Sequence, residues 1–301
     1  MCYSSQTVYN GFAMEQLVLH SLVIGSAALE ILQASLQGQV TGQTSGGIFL
    51  RTNADRILFL SLASWRGPLT INLSPEDGEN LPIKLHSPFL IQAGTIFFPQ
   101  ERIKIDFNQA ERWSPPPRPQ LVLSRAEQQH RFAQVSAAVF AVLADRFEPG
   151  QDSISDLDQW IDPGFSILSE LRRVLKSGQS SGIIEALVAV LGRGQGLTPA
   201  GDDIALGFLL ALNRWGDRLR PGLPPEPINR ALVDAARCQT TALSASLIEC
   251  AARGHASERL VAALDGLVSG NLTEDRIVDH FRSWGHTSGV AAMQGMGLAF
   301  E

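Results

Sequence analysis

Short hydrophobic runs separated by turn residues fill the chain from residue 47 to residue 107. Pro, Gly, Asn and Asp recur between these runs at close spacing, which is typical of strands joined by tight turns. We therefore predict a small antiparallel β-sheet or barrel in this part of the chain. Its predicted strands are residues 48–51, 56–63, 69–73, 88–91, 95–98 and 102–107.

Beyond residue 120 the apolar positions recur at helical spacing instead, which predicts a mostly helical second half. The predicted helices are residues 124–147, 164–176, 181–191, 199–215, 226–253, 257–267, 273–284 and 288–300. An earlier hydrophobic run, residues 17–32, has no basic flank and is too short to span a bilayer comfortably. We interpret it as a buried amphipathic helix that leads the first domain.

A proline-rich segment, residues 115–120, separates the two patterns. Consecutive prolines hold an extended conformation and continue neither a strand nor a helix, so this segment is the predicted domain boundary. The predicted fold class is α+β. Residues 1–114 form a leading helix plus an antiparallel β domain, and residues 121–301 form an α-helical domain.

Composition narrows the classes of function. The formal net charge is -6 and the pI is about 5.6, which argues against nucleic acid as a partner because phosphate backbones are bound through clustered Lys and Arg. The three cysteines lack zinc-ligand spacing, and their odd number does not suggest a disulfide framework. We expect a cytoplasmic protein with reduced thiols, no membrane association and no zinc site.

The most informative segment is a glycine-rich loop, residues 191–203, which contains Gly192, Gly194, Gly196 and Gly201. Thr198 is a suitable N-cap, and Pro199 suits the first position of the helix that follows. A bare helix N-terminus of this kind favours a phosphate or carboxylate. The loop lacks the Gly-Lys-Ser/Thr of a Walker motif and follows a predicted helix rather than a strand, which disfavours nucleotide binding. The alternative is a loop that only connects two helices.

Two adjacent carboxylates, Asp202 and Asp203, follow this loop in the first helical turn. Neighbouring residues on a helix point about 100° apart, so the two side chains are expected to have different roles. One would hold a metal, a substrate amide or a loop amide. The other would cap backbone donors or pair with a cation.

A second loop, residues 285–289, also enters a helix of small residues. His286 is our candidate general base or hydrogen-bond donor, with a purely structural histidine as the alternative. Thr287 or Ser288 would cap the helix. The small residues of the helix would let another backbone approach closely; they are Gly289, Ala292, Gly295 and Gly297.

A third set of hydroxyls, Thr240, Thr241 and Ser244, lies within the predicted helix 226–253. Spacings of three and four residues would place Ser244 beside both threonines on one face. These hydroxyls would either contact a ligand or bond to carbonyls one turn earlier in the same helix.

The two loops and the hydroxyl set between them resemble a family that includes the AllH-type subunit of oxamate carbamoyltransferase. Its usual pattern is Gly-x-Gly-Leu-Thr-Pro-Ser-Gly-Asp-Asp, followed near the C-terminus by Gly-His-Thr/Ser-Ser-Gly. This chain has Ala200 where serine is common, and Arg193 and Gln195 occupy positions that the pattern leaves open. The resemblance is sharpest in the two loops.

The resemblance implies transfer of a carbamoyl group between a small 2-oxo-amide, such as oxamate, and phosphate in allantoin catabolism. It implies no cofactor firmly, although Mg²⁺ would screen the aspartates beside a phosphate. Its candidate catalytic residues are His286, Asp202 and Asp203. The candidate substrate-binding residues are Gly194, Gly196, Leu197, Thr198, Gly201, Thr240, Thr241, Ser244, Thr287, Ser288 and Gly289.

The expected partners are a small anionic metabolite and either a second copy of the chain or the other subunits of an enzyme. Two alternatives remain at the level of sequence. A non-catalytic assembly subunit would use the small-residue helices to pack against partner proteins. A metabolite-binding protein would keep the site without turnover.

Overall fold

A computed structural model describes residues 16–74, 76, 81–144, 165–177, 180–285 and 287–301. Nine strands and ten helices lie in these ranges. The strands all precede residue 114, and every helix but one follows residue 124. The predicted α+β order, with a β-rich first part and a helical second part, is therefore confirmed.

Eight of the strands close into a mixed barrel. Strand β1 pairs with β8 through its first residues and with β5 through its last, which joins the two ends of the strand order β5-β4-β3-β2-β6-β7-β8-β1. Strand β9 pairs with β1 outside this ring. The strands are β1 (Leu17–Gly25), β2 (Gln37–Thr44), β3 (Gly47–Thr52), β4 (Ile57–Ser61), β5 (Thr70–Leu73), β6 (Pro88–Gln92), β7 (Thr95–Phe98), β8 (Ile103–Asp106) and β9 (Glu111–Trp113).

Six of these strands, β3 to β8, coincide with the six predicted runs. Three pairings are parallel rather than antiparallel, namely β1 with β8, β1 with β9 and β4 with β5. The predicted leading helix is wrong in its first half, because residues 17–25 form β1 and only α1 (Ser26–Ala34) is helical. A buried strand and a buried helix share the same continuous apolar pattern, so periodicity alone does not separate them.

The helical half surrounds one central pair of helices. Helix α5 (Ala200–Leu219) is buried along most of its length and crosses α10 (Ser288–Phe300). The other helices are α2 (Arg125–Ala144), α3 (Phe165–Ser177), α4 (Ser180–Val190), α6 (Pro225–Gln239), α7 (Ala242–Ala251), α8 (Glu258–Ser269) and α9 (Glu274–Arg282).

Glycines allow the backbones of α5 and α10 to approach each other closely where the two helices cross. A Cβ at Gly207 would lie 2.0 Å from the Ala292 carbonyl oxygen, and one at Gly295 would lie 2.0 Å from the Ile204 carbonyl oxygen. The predicted close backbone approach at the small-residue helix is thus confirmed, and the approaching backbone belongs to this same chain. The crossing places the first turns of α5 and α10 side by side.

The predicted helix 226–253 is wrong as one element, because α6 ends at Gln239 and α7 begins at Ala242. Thr241 is the N-cap of α7, and its Oγ1 accepts a hydrogen bond of 3.1 Å from the Ser244 amide. The hydroxyls therefore lie at a helix junction and not along one helical face. Threonine is a favoured N-cap residue, which explains the break between two otherwise helical segments.

The proline-rich segment packs on α5, so the predicted boundary is a docked segment in the structure. Arg214 donates a hydrogen bond of 2.9 Å to the Pro116 carbonyl. It also forms an ion pair of 2.6 Å with the buried carboxylate of Asp265 on α8. Trp215 Nε1 donates to the same carboxylate at 2.8 Å. Arg118 lies over the Trp215 ring, 4.9 Å from its centroid. We keep residues 115–120 as the proposed boundary.

Candidate functional site

The glycine-rich loop follows α4 and leads into α5. Gly192, Gly194 and Gly196 all have positive φ, at 73°, 115° and 94°. Gly192 and Gly194 also lie against backbone of the chain, whereas nothing stands within 4 Å of a Cβ placed at Gly196. Residues 194–197 are exposed. Among the described residues, no acceptor takes the amides of residues 194–198, so this exposed part of the loop is the part with free donors.

The helix N-terminus beyond the loop is less open than predicted. Helix α5 begins at Ala200, with Pro199 as its N-cap and no side-chain cap, so the prediction of a Thr198 cap is wrong. The Gly201 amide donates to the Arg193 carbonyl at 2.9 Å, and the Asp202 amide donates to the Pro199 carbonyl at 2.9 Å. A Cβ at Gly201 would lie 1.9 Å from the Val190 carbonyl oxygen. The loop folds back over the helix end, and the expected anion site at that end is already filled by the chain.

Asp202 organises the loop. Its Oδ1 accepts a 2.7 Å hydrogen bond from the Gly192 amide, and its Oδ2 accepts one from the Thr240 hydroxyl. Burial raises the pKa of this carboxyl, and these two donors partly offset the effect. The expectation that one aspartate would hold a loop amide is confirmed. Asp202 thereby ties the α4–α5 loop to the α6–α7 junction.

Asp203 has different surroundings. It is only 2% exposed, and its Oδ2 has no hydrogen-bond partner among the described residues. Burial raises the pKa of Asp203 well above its ordinary value. The nearby hydroxyls of Ser288 and Thr198 oppose this shift, and the Asp202 carboxyl adds to it. A buried carboxyl with raised pKa and free hydrogen-bonding capacity is characteristic of functional sites.

The second loop meets the first through a pair of hydroxyls. Thr198 Oγ1 and Ser288 Oγ lie 3.0 Å apart. Thr287 is the N-cap residue of α10, as predicted, but its side chain makes no capping hydrogen bond. A Cβ at Gly289 would lie 1.9 Å from the Phe281 carbonyl oxygen, which gives that glycine a packing role. His286 lies outside the described residues.

The third predicted set also reaches the glycine-rich loop. Thr241 Oγ1 donates a hydrogen bond of 2.7 Å to the Leu197 carbonyl, in addition to its capping role. Ser244 is buried beside Asp202, and its hydroxyl lowers the pKa of that carboxyl against the effect of burial. Three segments that are far apart in sequence thus converge on Asp202, Asp203 and Thr198.

A cleft of ≈ 560 Å³ opens above this cluster, between the barrel and the helical half. Of the predicted residues, Leu197, Thr198 and Ser288 line it. Asp203 lies beneath the Thr198 and Ser288 hydroxyls rather than on the cleft wall. The cleft therefore presents a hydroxyl pair that a buried carboxyl supports from behind.

Some predicted substrate-binding residues do not line this cleft. Thr240 and Thr241 line a separate depression of ≈ 660 Å³, whose other walls include Arg51, Arg56 and Arg237. Gly194 and Gly196 lie in the exposed loop, and Gly201, Ser244 and Gly289 are buried in the packing around the cluster.

The cleft also contains a cation that the sequence analysis missed. Arg259, the second residue of α8, lies over the ring of Trp65 at 5.3 Å from its centroid. Its Nη1 donates to the Ser283 carbonyl, and no carboxylate of the described chain lies within ion-pair distance of it. Neighbouring Glu258 is occupied by Arg66. Arg259 and Trp65 come from different halves of the chain, so no local motif marks either residue.

The described residues at this site bring together too few ligands for a resident Mg²⁺. Both oxygens of Asp202 already accept hydrogen bonds, which leaves Asp203 as the one carboxylate of the pair with an unoccupied oxygen. Mg²⁺ requires near-octahedral oxygen coordination. In the parts of the chain that the structure describes, no cluster of three or more His, Cys, Asp or Glu side chains could hold a metal ion.

Together, fold and site define a two-part protein, a mixed barrel packed on a helical body, with a polar cluster at the floor of the cleft between them. Residues 190–300 match the family model described as oxamate carbamoyltransferase subunit AllH. The match covers both loops and the hydroxyl set, which confirms the predicted resemblance over these residues.

Two further comparisons gave no match, neither among curated proteins nor among solved structures. The matched family is described as a subunit, a description that suggests partner subunits. Within the described residues, no helix combines the length and the apolar character needed to cross a membrane.

Proposed function

We propose that this chain is a carbamoyltransferase subunit that binds a small 2-oxo-amide such as oxamate, together with carbamoyl phosphate or phosphate, in the cleft between barrel and helices. The observation that carries the proposal is the 3.0 Å contact between Thr198 and Ser288, which brings together the two loops of the family pattern above a buried carboxyl. The description of the matched family supplies the reaction class.

The transfer reaction has two chemical requirements, a proton acceptor and a group that stabilises negative charge. The amide nitrogen of oxamate attacks the carbamoyl carbon, the new N–C bond forms, and the C–O bond to phosphate breaks. The attacking nitrogen must lose a proton, and the negative charge that develops on the carbamoyl oxygen must be stabilised.

The hydroxyls of Thr198 and Ser288 are suited to the second requirement, because they line the cleft and donate hydrogen bonds. The free amides of Leu197 and Thr198, which line the cleft, are suited to the departing phosphate.

Two groups are candidates for the base. Asp203 has a raised pKa, so once ionised it is a stronger base than an ordinary carboxylate, and the Ser288 hydroxyl lies between it and the cleft. His286 remains a candidate from the sequence. Asp202 positions the loop, because its two oxygens accept hydrogen bonds from the Gly192 amide and the Thr240 hydroxyl.

The alternative of a non-catalytic assembly subunit loses its main support. It relied on glycines kept free for close contact with a partner protein. Gly207, Gly289 and Gly295 instead contact backbone of this chain, and Gly297 packs against the Phe132 ring.

The experiment is a transfer assay with ¹³C-labelled carbamoyl phosphate and oxamate, in which NMR follows the carbamoylated amide. The purified chain is expected to form product, and Ser288→Ala and Asp203→Asn are expected to lower kcat by roughly 100-fold or more. Ser283→Ala is the matched control, because Ser283 lines the same cleft and its hydroxyl donates away from the cluster, to the His280 carbonyl at 3.2 Å. Wild-type chain that binds oxamate without forming product would overturn the catalytic proposal, and wild-type chain that binds neither substrate would overturn the site.

A further inference from the structure

The walls of the cleft differ in polarity and charge. Its floor carries the Thr198 and Ser288 hydroxyls, and Arg259 lies on the wall formed with Trp65. Much of the remaining lining is apolar. The apolar panel of the cleft consists of Phe49, Phe59, Leu243 and Leu247.

The apolar panel is unusual for its position. Phe49 and Phe59 lie on the outward faces of β3 and β4, whose inward positions, such as Leu50 and Leu58, are fully buried in the barrel core. Outward positions of a barrel strand commonly carry polar side chains. Here two phenylalanines instead contact each other at 4.6 Å between ring centroids and face the cleft.

The cleft is also large for the proposed substrates. Its ≈ 560 Å³ falls within the range of about 300–1,000 Å³ found for pockets that bury drug-sized ligands. A molecule as small and polar as oxamate would leave the apolar panel uncovered.

The second feature of the cleft is the guanidinium of Arg259. Its Nε is buried without a hydrogen-bond partner among the described residues, and its neighbour Glu258 binds Arg66 through both carboxylate oxygens. Burial lowers the pKa of this guanidinium, although it stays charged. A partly desolvated arginine at the edge of an apolar cleft, with no carboxylate of the described residues within ion-pair distance, is suited to bind a carboxylate.

We propose that the cleft accepts a carboxylate with an apolar body, with the carboxylate on Arg259 and the body on Phe49, Phe59, Leu243 and Leu247. This proposal rests on the cleft of the proposed function and deepens it, because it names an apolar body as the feature by which the cleft distinguishes one carboxylate from another. Arg259 and the apolar panel are its specificity determinants.

The test is calorimetric titration of the full chain with three matched probes. 3-Phenylpropionate has the charge and the ring, propionate has the charge alone, and 3-phenylpropionamide has the ring without the charge. We expect 3-phenylpropionate to bind roughly tenfold or more tightly than either of the other two.

Two variants separate the two determinants. Arg259→Met keeps the aliphatic stem and is expected to abolish the preference for acid over amide. Phe59→Ala is expected to abolish the preference for phenylpropionate over propionate while keeping the preference for charge. Arg282→Met is the control, since Arg282 lies outside the cleft and forms an ion pair with Asp279 at 3.8 Å.

Equal affinity for all three probes, or no binding of any, would overturn the proposal. Binding that Arg259→Met leaves unchanged would overturn it as well. These outcomes are independent of the transfer assay: a chain that carbamoylates oxamate but ignores the ring refutes this inference alone. A chain that prefers phenylpropionate yet forms no carbamoyl product refutes the proposed reaction alone.

Discussion

Asp202 and Asp203 are adjacent in sequence, yet their carboxyls face different surroundings. Asp202 accepts hydrogen bonds from Gly192 and Thr240, whereas Asp203 keeps an unpartnered oxygen in a buried position. The helical rotation between neighbours predicts that the roles differ. It does not predict which residue has which role, because that depends on where the α6–α7 junction lies in space.

Substitution of each aspartate by asparagine separates the two roles. Asp202→Asn removes an acceptor from a buried network and is expected to lower the free energy of unfolding by about 1–3 kcal/mol. Asp203→Asn puts a neutral group of the same shape in place of a carboxyl whose pKa is raised by burial, so its cost is expected to be smaller. Urea denaturation of both variants measures the difference, and a larger loss for Asp203→Asn would contradict the assignment.

The raised pKa of Asp203 also predicts a pH dependence. A carboxyl with a higher pKa in the folded than in the unfolded state binds more protons when folded, so it makes stability fall as pH rises from about 3.8 towards the folded pKa. Asp203→Asn removes this titration. The variant is therefore expected to gain stability relative to wild type with rising pH, and parallel stability profiles from pH 4 to pH 8 would contradict the raised pKa.

The cleft residues that the sequence did not predict share one property. Arg259 and Trp65 carry no motif, and they are brought together by the packing of the barrel on the helical half. The motif residues were found because glycines, hydroxyls and carboxylates cluster locally in sequence. His286 stays a prediction.

At the scale of elements, the six central strands were predictable because turn residues punctuate them. Strand β1 was missed because its apolar residues run on into α1 with a single glycine, Gly25, between them, and the whole run was interpreted as one helix. The break between α6 and α7 was missed because the Thr240–Thr241 junction contains neither Gly nor Pro. The Thr241 N-cap was the available signal.

The crossing of α5 and α10 makes a prediction that belongs to this scale. A methyl group at Gly295 would meet the Ile204 carbonyl at 2.0 Å, so Gly295→Ala must separate the two helices. We expect a loss of about 1–3 kcal/mol of stability. Since the same crossing aligns Thr198 with Ser288, oxamate binding should weaken as well.

The matched control is Gly222→Ala, because nothing lies within 4 Å of a Cβ at that position. Its stability is expected to stay within about 0.5 kcal/mol of wild type. Thermal denaturation of both variants measures the comparison. Equal stability of the two would mean that the helices do not cross as closely as described.

At the scale of the whole molecule, a buried ion pair joins the proline-rich segment, α5 and α8. Arg214 and Asp265 are 7% and 6% exposed at their side chains. Arg214→Met leaves the Asp265 carboxylate buried without its cation and is expected to cost about 3–5 kcal/mol. The double variant Arg214→Met, Asp265→Leu should cost less than the single one, and additive losses in urea denaturation would contradict this coupling.

The barrel and the helical half also share a packing contact at Cys250 of α7, which belongs to the core on the barrel side. Burial raises the pKa of this thiol to about 12. Cys238 is exposed. Iodoacetamide should therefore modify Cys238 in the native protein and Cys250 only on unfolding, and rapid native labelling of Cys250 would indicate that the two halves separate.

Substrate binding in the cleft between these halves, over the Thr198 and Ser288 hydroxyls, underlies both proposals. It can be checked in a crystal structure of the chain grown with oxamate and phosphate. Ligand density is expected in the cleft, within hydrogen-bond distance of both hydroxyls. Density in the depression beside Thr240 and Arg237, with none in the cleft, would contradict it.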